Sequence, residues 1–211
     1  MSLLDLIEDR RNNARIHGFV IGIVTNNKDP EGIGRVKVKF PWLSDEDESN
    51  WARIVSPMAG NDKGMFFLPE VDDEVLLGFQ HGDINMPYVL GSLWNGVDKP
   101  PEANSDGKNN IKMIKSRSGH TIKLDDTEGA EKIEIVDKTE KNMIIIDGKT
   151  NKITFKSESD IEISAPNGKV TINALDFEVK SSASTKIEAS SGMDLKTSGS
   201  MNIKGSMVNI N

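Results

Sequence analysis

The second half of the chain repeats a short pattern of apolar and polar positions. From residue 153 onward, two apolar residues separated by one other residue recur about every eight positions, and small or polar residues lie between the pairs. The pairs are Ile153/Phe155, Ile161/Ile163, Val170/Ile172, Phe177/Val179, the weaker Thr185/Ile187, Met193/Leu195, Met201/Ile203 and Val208/Ile210. A looser version comes before them, at Ile111/Met113, Ile122/Leu124, Ile133/Ile135 and Ile144/Ile146. Repetition at a fixed period is typical of a solenoid.

The eight-residue period has room for only one strand and one turn. A single chain that encloses a core needs about three such faces, or roughly 18–24 residues per coil at ~3.3 Å per residue. Each repeat therefore supplies one wall and cannot bury its apolar pair alone. Three chains, each giving one wall per layer, would close a triangular prism. We predict an intertwined homotrimeric β-helix over residues 111–211. The alternative is a flat meander with both faces partly exposed to solvent.

The first half of the chain consists of short segments rich in β-branched or aromatic residues, separated by turn-forming clusters. The predicted strands are residues 17–25, 34–40, 51–56, 65–68, 74–80 and 88–93. Closure removes exposed strand edges, so several short strands over residues 17–98 favour a small barrel. We predict a barrel of the oligonucleotide/oligosaccharide-binding (OB) type, with a small sandwich as the alternative. A short helical segment (residues 1–16) precedes it, and a linker with paired prolines (residues 99–110) follows.

Composition excludes several kinds of site. The 211 residues include no cysteine, which rules out disulfides, thiolate metal sites and cysteine nucleophiles. The net charge of −7 argues against a general nucleic-acid binder. No apolar stretch approaches the ~20 residues that cross a bilayer, and the N-terminal apolar run is too short and too acidic for a signal peptide. We expect a soluble protein made in the cytoplasm.

Groups with catalytic or metal-binding potential are few, and each has a simpler explanation. A triad needs its base and nucleophile to converge from separate positions, whereas the candidate Ser and His lie within one short segment. The acidic run lacks the spacing of a calcium loop and is predicted to be a solvated loop. The paired carboxylates fit a turn between strands. These groups are Ser116, Ser118 and His120; residues 45–48; and Asp125, Asp126 and Glu128. We predict no enzymatic activity, catalytic residue, cofactor or metal.

One strand of the barrel could line an oligonucleotide groove. It carries Arg35, Lys37 and Lys39, and stacking aromatics would complete such a groove. The candidate aromatics are Trp42, Trp51 and Trp94. Residues 1–100 carry a net charge of −6, however, and tryptophans buried in the barrel or at a trimer contact are the preferred interpretation. A trimeric carbohydrate- or nucleic-acid-binding fibre module is therefore the second hypothesis for function.

A series of short motifs runs along most of the chain. The motifs are Gly34-Arg-Val-Lys-Val-Lys-Phe-Pro-Trp42, Trp51-Ala-Arg53, Pro57-Met-Ala-Gly60, Gly64, Leu68-Pro-Glu-Val-Asp-Asp-Glu-Val75, Gly82-Asp83, Pro87, Gly91-Ser-Leu-Trp94, Ile114-Lys-Ser-Arg-Ser-Gly-His-Thr-Ile122 and Asp125-Asp126. Together they resemble the phage baseplate assembly protein V and VgrG-type spikes of contractile injection systems. The resemblance covers about residues 17–211, and it is the series rather than any single motif that is specific. Asp72 stands where that family usually has Gly, so one turn is expected to differ.

The resemblance implies an OB barrel followed by a trimeric needle, carried at the tip of a contractile tail. VgrG proteins have a hub portion before the barrel, and here only about 16 residues precede it, so we expect hub and spike to be separate polypeptides. Some relatives insert a lysozyme domain after the barrel, where this chain has only the linker. The predicted function is a structural spike that docks to a separate hub and pierces a target envelope, touched only transiently, when the sheath contracts. Assembly would be into a phage tail or an extracellular particle.

The C-terminal end predicts a further partner. A solenoid's last layer leaves apolar interior and strand edges open, so it needs a cap. No polar segment follows the last apolar pair, and no His follows His120 to bind the iron found at some spike tips. We expect a small cone-shaped protein of the PAAR type to contact Met207, Val208, Ile210 and Asn211.

Overall fold

The computed structural model describes residues 15–210, which form two units that divide after Asp160. The N-terminal helix predicted over residues 1–16 lies almost wholly outside the described residues. Arg15 and Ile16 are the only residues of that segment that are described, and neither is helical. The described chain has no α-helix, in agreement with the predicted all-β class.

The barrel is built on a six-stranded curled sheet in which every neighbouring pair is antiparallel except β4 with β8. The strand order is β3-β2-β1-β7-β8-β4, and a separate two-stranded hairpin pairs β5 with β6. The bounds are β1 (Val20–Asn26), β2 (Lys37–Phe40), β3 (Ser44–Glu48), β4 (Arg53–Ile54), β5 (Ala59–Gly60), β6 (Lys63–Gly64), β7 (Glu74–Phe79) and β8 (Pro87–Ser92).

A pair of backbone hydrogen bonds brings the two sides of this sheet together. Val36 N–H donates to the Ala52 carbonyl at 3.0 Å, and Ala52 N–H donates to the Val36 carbonyl at 2.7 Å. The chain leading into β2 thereby meets the chain leading into β4 from the opposite side of the sheet. The enclosed side chains form the core; they are Val24, Val36, Val38, Phe40, Ala52, Val75, Leu77 and Val89. This curled, partly closed sheet agrees with the predicted OB barrel.

Three local expectations in the barrel need correction or comment. Residues 65–68 are not a strand; they follow the β5–β6 hairpin without regular secondary structure and are mostly exposed. The acidic run at residues 45–48 is not a loop but part of β3, because the sheet edge offers it backbone partners in β2.

Asp72 adopts a φ of 76°, the left-handed conformation that glycine favours. The turn that a family glycine would make is therefore kept, and Asp72 N–H donates to the Val24 carbonyl at 2.9 Å.

Residues 111–156 form a five-stranded antiparallel meander rather than a β-helical coil within one chain. Its strands pair in the order β13-β12-β11-β10-β9. They are β9 (Ile111–Lys115), β10 (Thr121–Asp125), β11 (Lys132–Val136), β12 (Met143–Asp147) and β13 (Lys152–Lys156). Neighbouring strands run in opposite directions, and each leads into the next through a turn. For this segment, the structure of a single chain is therefore the meander that the sequence offered as the alternative.

The meander presents one continuous apolar face, which we call the apolar sheet face. It consists of two rows of residues that lie opposite one another in register. The first row is Ile114, Ile122, Ile135, Ile144 and Phe155, and the second is Leu124, Ile133, Ile146 and Ile153. The predicted pair Ile111/Met113 is misassigned: both residues lie on the other face, opposite Asp125 and Lys123. Ile114 takes the place in the apolar row that the repeat had assigned to that pair.

The second unit, residues 161–210, has no strand within one chain, and all of its described residues are exposed. Its apolar pairs therefore have no intrachain core to fill. This unit carries most of the eight-residue repeat.

Candidate assembly surfaces

Two of the three cations on the basic strand of the barrel, Arg35 and Lys37, are paired with acidic neighbours. Asp29 accepts hydrogen bonds from Arg35 Nε (3.0 Å) and from a terminal guanidinium nitrogen (2.7 Å), and Glu31 forms a second ion pair with Arg35 at 3.0 Å. The backbone N–H groups of Glu31, Ile33 and Arg35 also donate to Asp29. These contacts hold the pKa of Asp29 far below its usual range, with Arg35 as the main cause. Arg35 therefore fixes a loop and does not offer a free cation.

Lys37 is also occupied. Its ammonium pairs with Glu48 at 3.0 Å and lowers the pKa of that carboxyl group. Arg35 and Lys37 both lie over the ring of Trp51, at 5.8 Å and 5.7 Å from its centre, within cation–π range. A groove that attracts phosphates would need these charges unpaired, so this face does not support the nucleic-acid hypothesis.

The tryptophans do not fill the barrel core. Trp42 and Trp94 are exposed, and Trp51 is half-buried beneath the two cations. The interpretation of buried barrel tryptophans is therefore wrong for Trp42 and Trp94. Contact with another copy stays a prediction for both.

The Ser/His group forms a turn and not a catalytic site. His120 N–H donates to Ser116 Oγ at 3.0 Å, and the Oγ atoms of Ser116 and Ser118 are 3.3 Å apart. His120 Nδ1 accepts a hydrogen bond from the backbone N–H of Lys138 at 3.2 Å. These contacts of the imidazole and the serine hydroxyls close the β9–β10 turn and link it to the β11–β12 turn.

The carboxylates of the meander stabilise its turns. Asp125 accepts from Thr127 Oγ1 at 2.6 Å, which lowers the pKa of Asp125. Asp126 pairs with Lys112 at 2.7 Å. Hydrogen bonds from Thr139, together with those from Asn142, lower the pKa of Asp137 to about 2. Ionised carboxylates held by turn donors are poor proton carriers near neutral pH, which supports the structural interpretation of these acids.

The two faces of the meander differ in chemistry. On the face opposite the apolar rows, Lys123 lies directly across from Glu134 and forms an ion pair with it. Lys132 adds a second contact to Glu134 at 3.3 Å. Partial burial acts to raise the pKa of Glu134, and the two lysines outweigh it, so the pKa lies below its usual value. The charged groups of this face satisfy one another, whereas the apolar sheet face is left without a cover within one chain.

The predicted tip lies in the second unit. Met207, Val208 and Ile210 are exposed there, and Asn211 is outside the described residues. The tip contact therefore stays a prediction. Among the side chains that the structure describes, which leave out residues 44–46, no group of three or more His, Asp or Glu is arranged to hold a metal ion. Within residues 15–210 no helix has the length and apolarity to span a bilayer.

Comparison with known proteins identifies the barrel. Residues 20–94 match the model of the type VI secretion system/phage-baseplate injector OB domain. Over this segment the chain is similar to VgrG-type and phage-baseplate injector proteins. A spike protein of the type VI secretion system, VgrG2a of Pseudomonas aeruginosa, is 34% identical over 103 residues, which cover 44% of this chain and 12% of that protein. VgrG3 of Vibrio cholerae, another such spike protein, is 31% identical over 111 residues, or 49% of this chain and 11% of its own length.

The chain thus spans only about a tenth of the length of these VgrG proteins. The matched region contains the core of the injector OB domain and the ion-paired Arg35 and Lys37. The sequence did not predict two features of the structure. One is the ion pair between Glu70 and Arg117, at 2.7 Å, and the other is the exposure of Phe66 and Phe67. The sequence places both phenylalanines in a predicted strand, residues 65–68, because a run of four apolar residues is typical of one.

Proposed function

We propose that this chain is the central spike of a contractile injection particle. The observation that carries the proposal is the pairing of an injector OB domain with an apolar face that one chain leaves uncovered. Two rows of apolar side chains run across β9–β13, and a further set repeats through residues 161–210. Exposed apolar area of this extent is characteristic of surfaces that associate.

Three copies of the chain account for both apolar sets. In a closed trimer, each copy would contribute its apolar sheet face to a shared interior and turn outward the opposite face, on which Lys123 and Lys132 pair with Glu134. Residues 161–210 would then acquire strand partners from neighbouring copies and form the needle. Such a needle resists bending because many ladder hydrogen bonds would have to break together. The work of the protein would be mechanical, and no part of this role requires catalysis.

The barrel would dock to a separate hub, and the needle would enter the target envelope when the sheath contracts. The chain would be made in the cytoplasm and assembled into a phage tail or an extracellular particle. The test is to purify particles from producing cells and locate the chain by gold labelling of an affinity tag. Labels at the tail tip support the proposal. Labels along the sheath or on lateral fibres would contradict it and favour the alternative of a fibre module.

The C-terminal layer supports a cap protein as an additional partner. Three copies of Val208 and Ile210 would form a small, blunt apolar platform, and a PAAR-type protein with an apolar base would cover it. Co-expression with candidate small proteins, followed by pull-down, tests this contact. Deletion of residues 207–211 should abolish the binding. Binding that survives the deletion unchanged would refute the platform.

A further inference from the structure

Residues 55–68 form an exposed loop with a defined shape, which we call the 55–68 arm. At its centre is the β5–β6 hairpin, closed by a hydrogen bond from Met65 N–H to the Met58 carbonyl at 3.0 Å. Ser56 Oγ lies 2.9 Å from the carbonyl oxygens of both Met58 and Met65 and joins the two sides. A Cβ atom at Gly64 would lie 2.6 Å from the Met58 carbonyl, so glycine is needed at this position. The arm is therefore a folded feature.

The arm exposes large apolar side chains without a cover. All residues from 57 to 67 are exposed, and Phe66 and Phe67 have relative exposures of 79% and 63%. A buried aromatic side chain removes 150–250 Å² from water, so these two rings alone present roughly 300 Å². The exposed set is Val55, Met58, Met65, Phe66 and Phe67. Monomeric proteins rarely keep contiguous patches above a few hundred Å².

The arm supplies most of the walls of a cleft of about 720 Å³, and residues 32–34 and Ile54 complete it. Its walls include Ile33, Ile54 and Phe66. Gly34 also lines it, and a Cβ atom there would come within 3.9 Å of the Phe66 ring. The arm thus offers a protruding apolar surface beside an apolar recess. A surface of this kind suits a head-to-tail contact, in which one copy's protrusion meets a different surface of the next copy.

The position of the arm points to a neighbouring copy as its occupant. Directly after the arm, Glu70 forms an ion pair with Arg117 in the β9–β10 turn. The arm therefore ends at the meander that carries the apolar sheet face. Copies held together by that face would come within reach of the arm at high effective concentration. With an equal contribution from the partner, the arm would bury on the order of 1,000 Å², which is the size of a specific interface.

We propose that the 55–68 arm packs against the neighbouring copy at the level of the barrels. This inference rests on the homotrimer proposed above. It adds a barrel-level contact formed by Phe66 and Phe67 with the adjacent chain, separate from the contacts of the needle.

The test is site-specific photocrosslinking in the full-length protein. Phe66 is replaced by photoreactive benzoylphenylalanine, which keeps the aromatic side chain, and the native mass is measured before irradiation. The matched control carries the same probe at Phe19, a barrel residue of similar exposure, 69%, outside the arm. We expect covalent chain-to-chain products in denaturing gels with the probe at 66, at least ten times more abundant than with the probe at 19.

The outcomes separate this inference from the trimer itself. A native trimer whose probe at 66 gives no chain-to-chain product would overturn the arm contact and leave the trimer intact. Products that form only with an added hub protein would assign the arm to the hub and would also overturn the contact between copies. A monomeric native mass would contradict the proposed trimer before any crosslinking.

Discussion

Ile122 lies directly opposite Ile135 in the antiparallel register of β10 and β11, and the two side chains have relative exposures of 44% and 45%. Side chains that face each other across neighbouring strands are the unit that stabilises a sheet. The row continues to Ile144 and Phe155 across the next two strand pairs. A row of this kind stabilises the pairing of neighbouring strands, and it still leaves one side of each isoleucine exposed to solvent. That open side is the surface to which the proposed trimer assigns a partner.

The first prediction tests the apolar sheet face. Ile135→Asp would bury three carboxylates in one layer of a trimer, each at a cost on the order of several kcal/mol. The matched control is Thr121→Asp, on the opposite face of the neighbouring strand and next to Lys115 in register. We expect Ile135→Asp to abolish the trimer. For the control, we expect the free energy of unfolding to change by about 0.5 kcal/mol or less. Thermal melts and native mass measure both; equal effects would show that the apolar face is not an interior.

The second prediction tests the needle. Ile161→Asp should destabilise the assembly in the same way, because Ile161 belongs to an apolar pair of the repeat. Ser182→Asp, in a stretch between pairs, should have little effect. Proteolysis of residues 161–211 should accompany the first substitution and not the second. If both variants melt alike, the division of the repeat into interior and exterior positions is wrong.

A third prediction concerns acid stability. The pKa of Asp137 is lowered from 3.8 to about 2, so its ionised form contributes stability above about pH 4 that is lost as pH falls through about 2. In Asp137→Asn this contribution is missing at every pH. We expect the variant to melt below the parent at about pH 5 and the difference to shrink towards about pH 2. If the difference in melting temperature between parent and variant did not change with pH, the charge of the Asp137 carboxylate would not be the source of the stability.

The fourth prediction concerns catalysis. The serine hydroxyls, His120 and the carboxylates of the meander are engaged in turns, so the purified chain should not degrade peptidoglycan. Turbidity of a cell-wall suspension measures this, with lysozyme as the positive control. Clearing that is lost on mutation of Asp125 would contradict the structural role.

The barrel was largely predictable because its signals are local. Alternation over residues 34–40 and the turn clusters predicted most strands, although the β5–β6 hairpin and β3 were not predicted. An edge strand such as β3 is set by the backbone partners that β2 offers, and its acidic side chains give no apolar pattern to read. The conformation of Asp72 was equally hidden, because asparagine and aspartate adopt positive φ only where the surrounding turn requires it.

The second half was harder, because its pattern shows what must be buried and not which chain buries it. Within residues 111–156 the repeat identified the residues of the apolar sheet face, except that strand register places Ile114 there instead of Ile111 and Met113; the pairs beyond residue 160 stay a prediction. The same pattern fits a meander within one chain and a wall shared between chains. Residues 111–156 adopt the meander, and residues 161–210 have no strand of their own. The ion pair between Glu70 and Arg117 joins residues 47 positions apart and has no sequence signal.

The central claim is that three copies share one interior, and the native mass of the full-length chain in dilute solution tests it most directly. Light scattering coupled to size exclusion at micromolar concentration suits the measurement. The account predicts a single species of about 70 kDa, three times the chain mass of 23.2 kDa, that persists on tenfold dilution. A monodisperse monomer under the same conditions would contradict it.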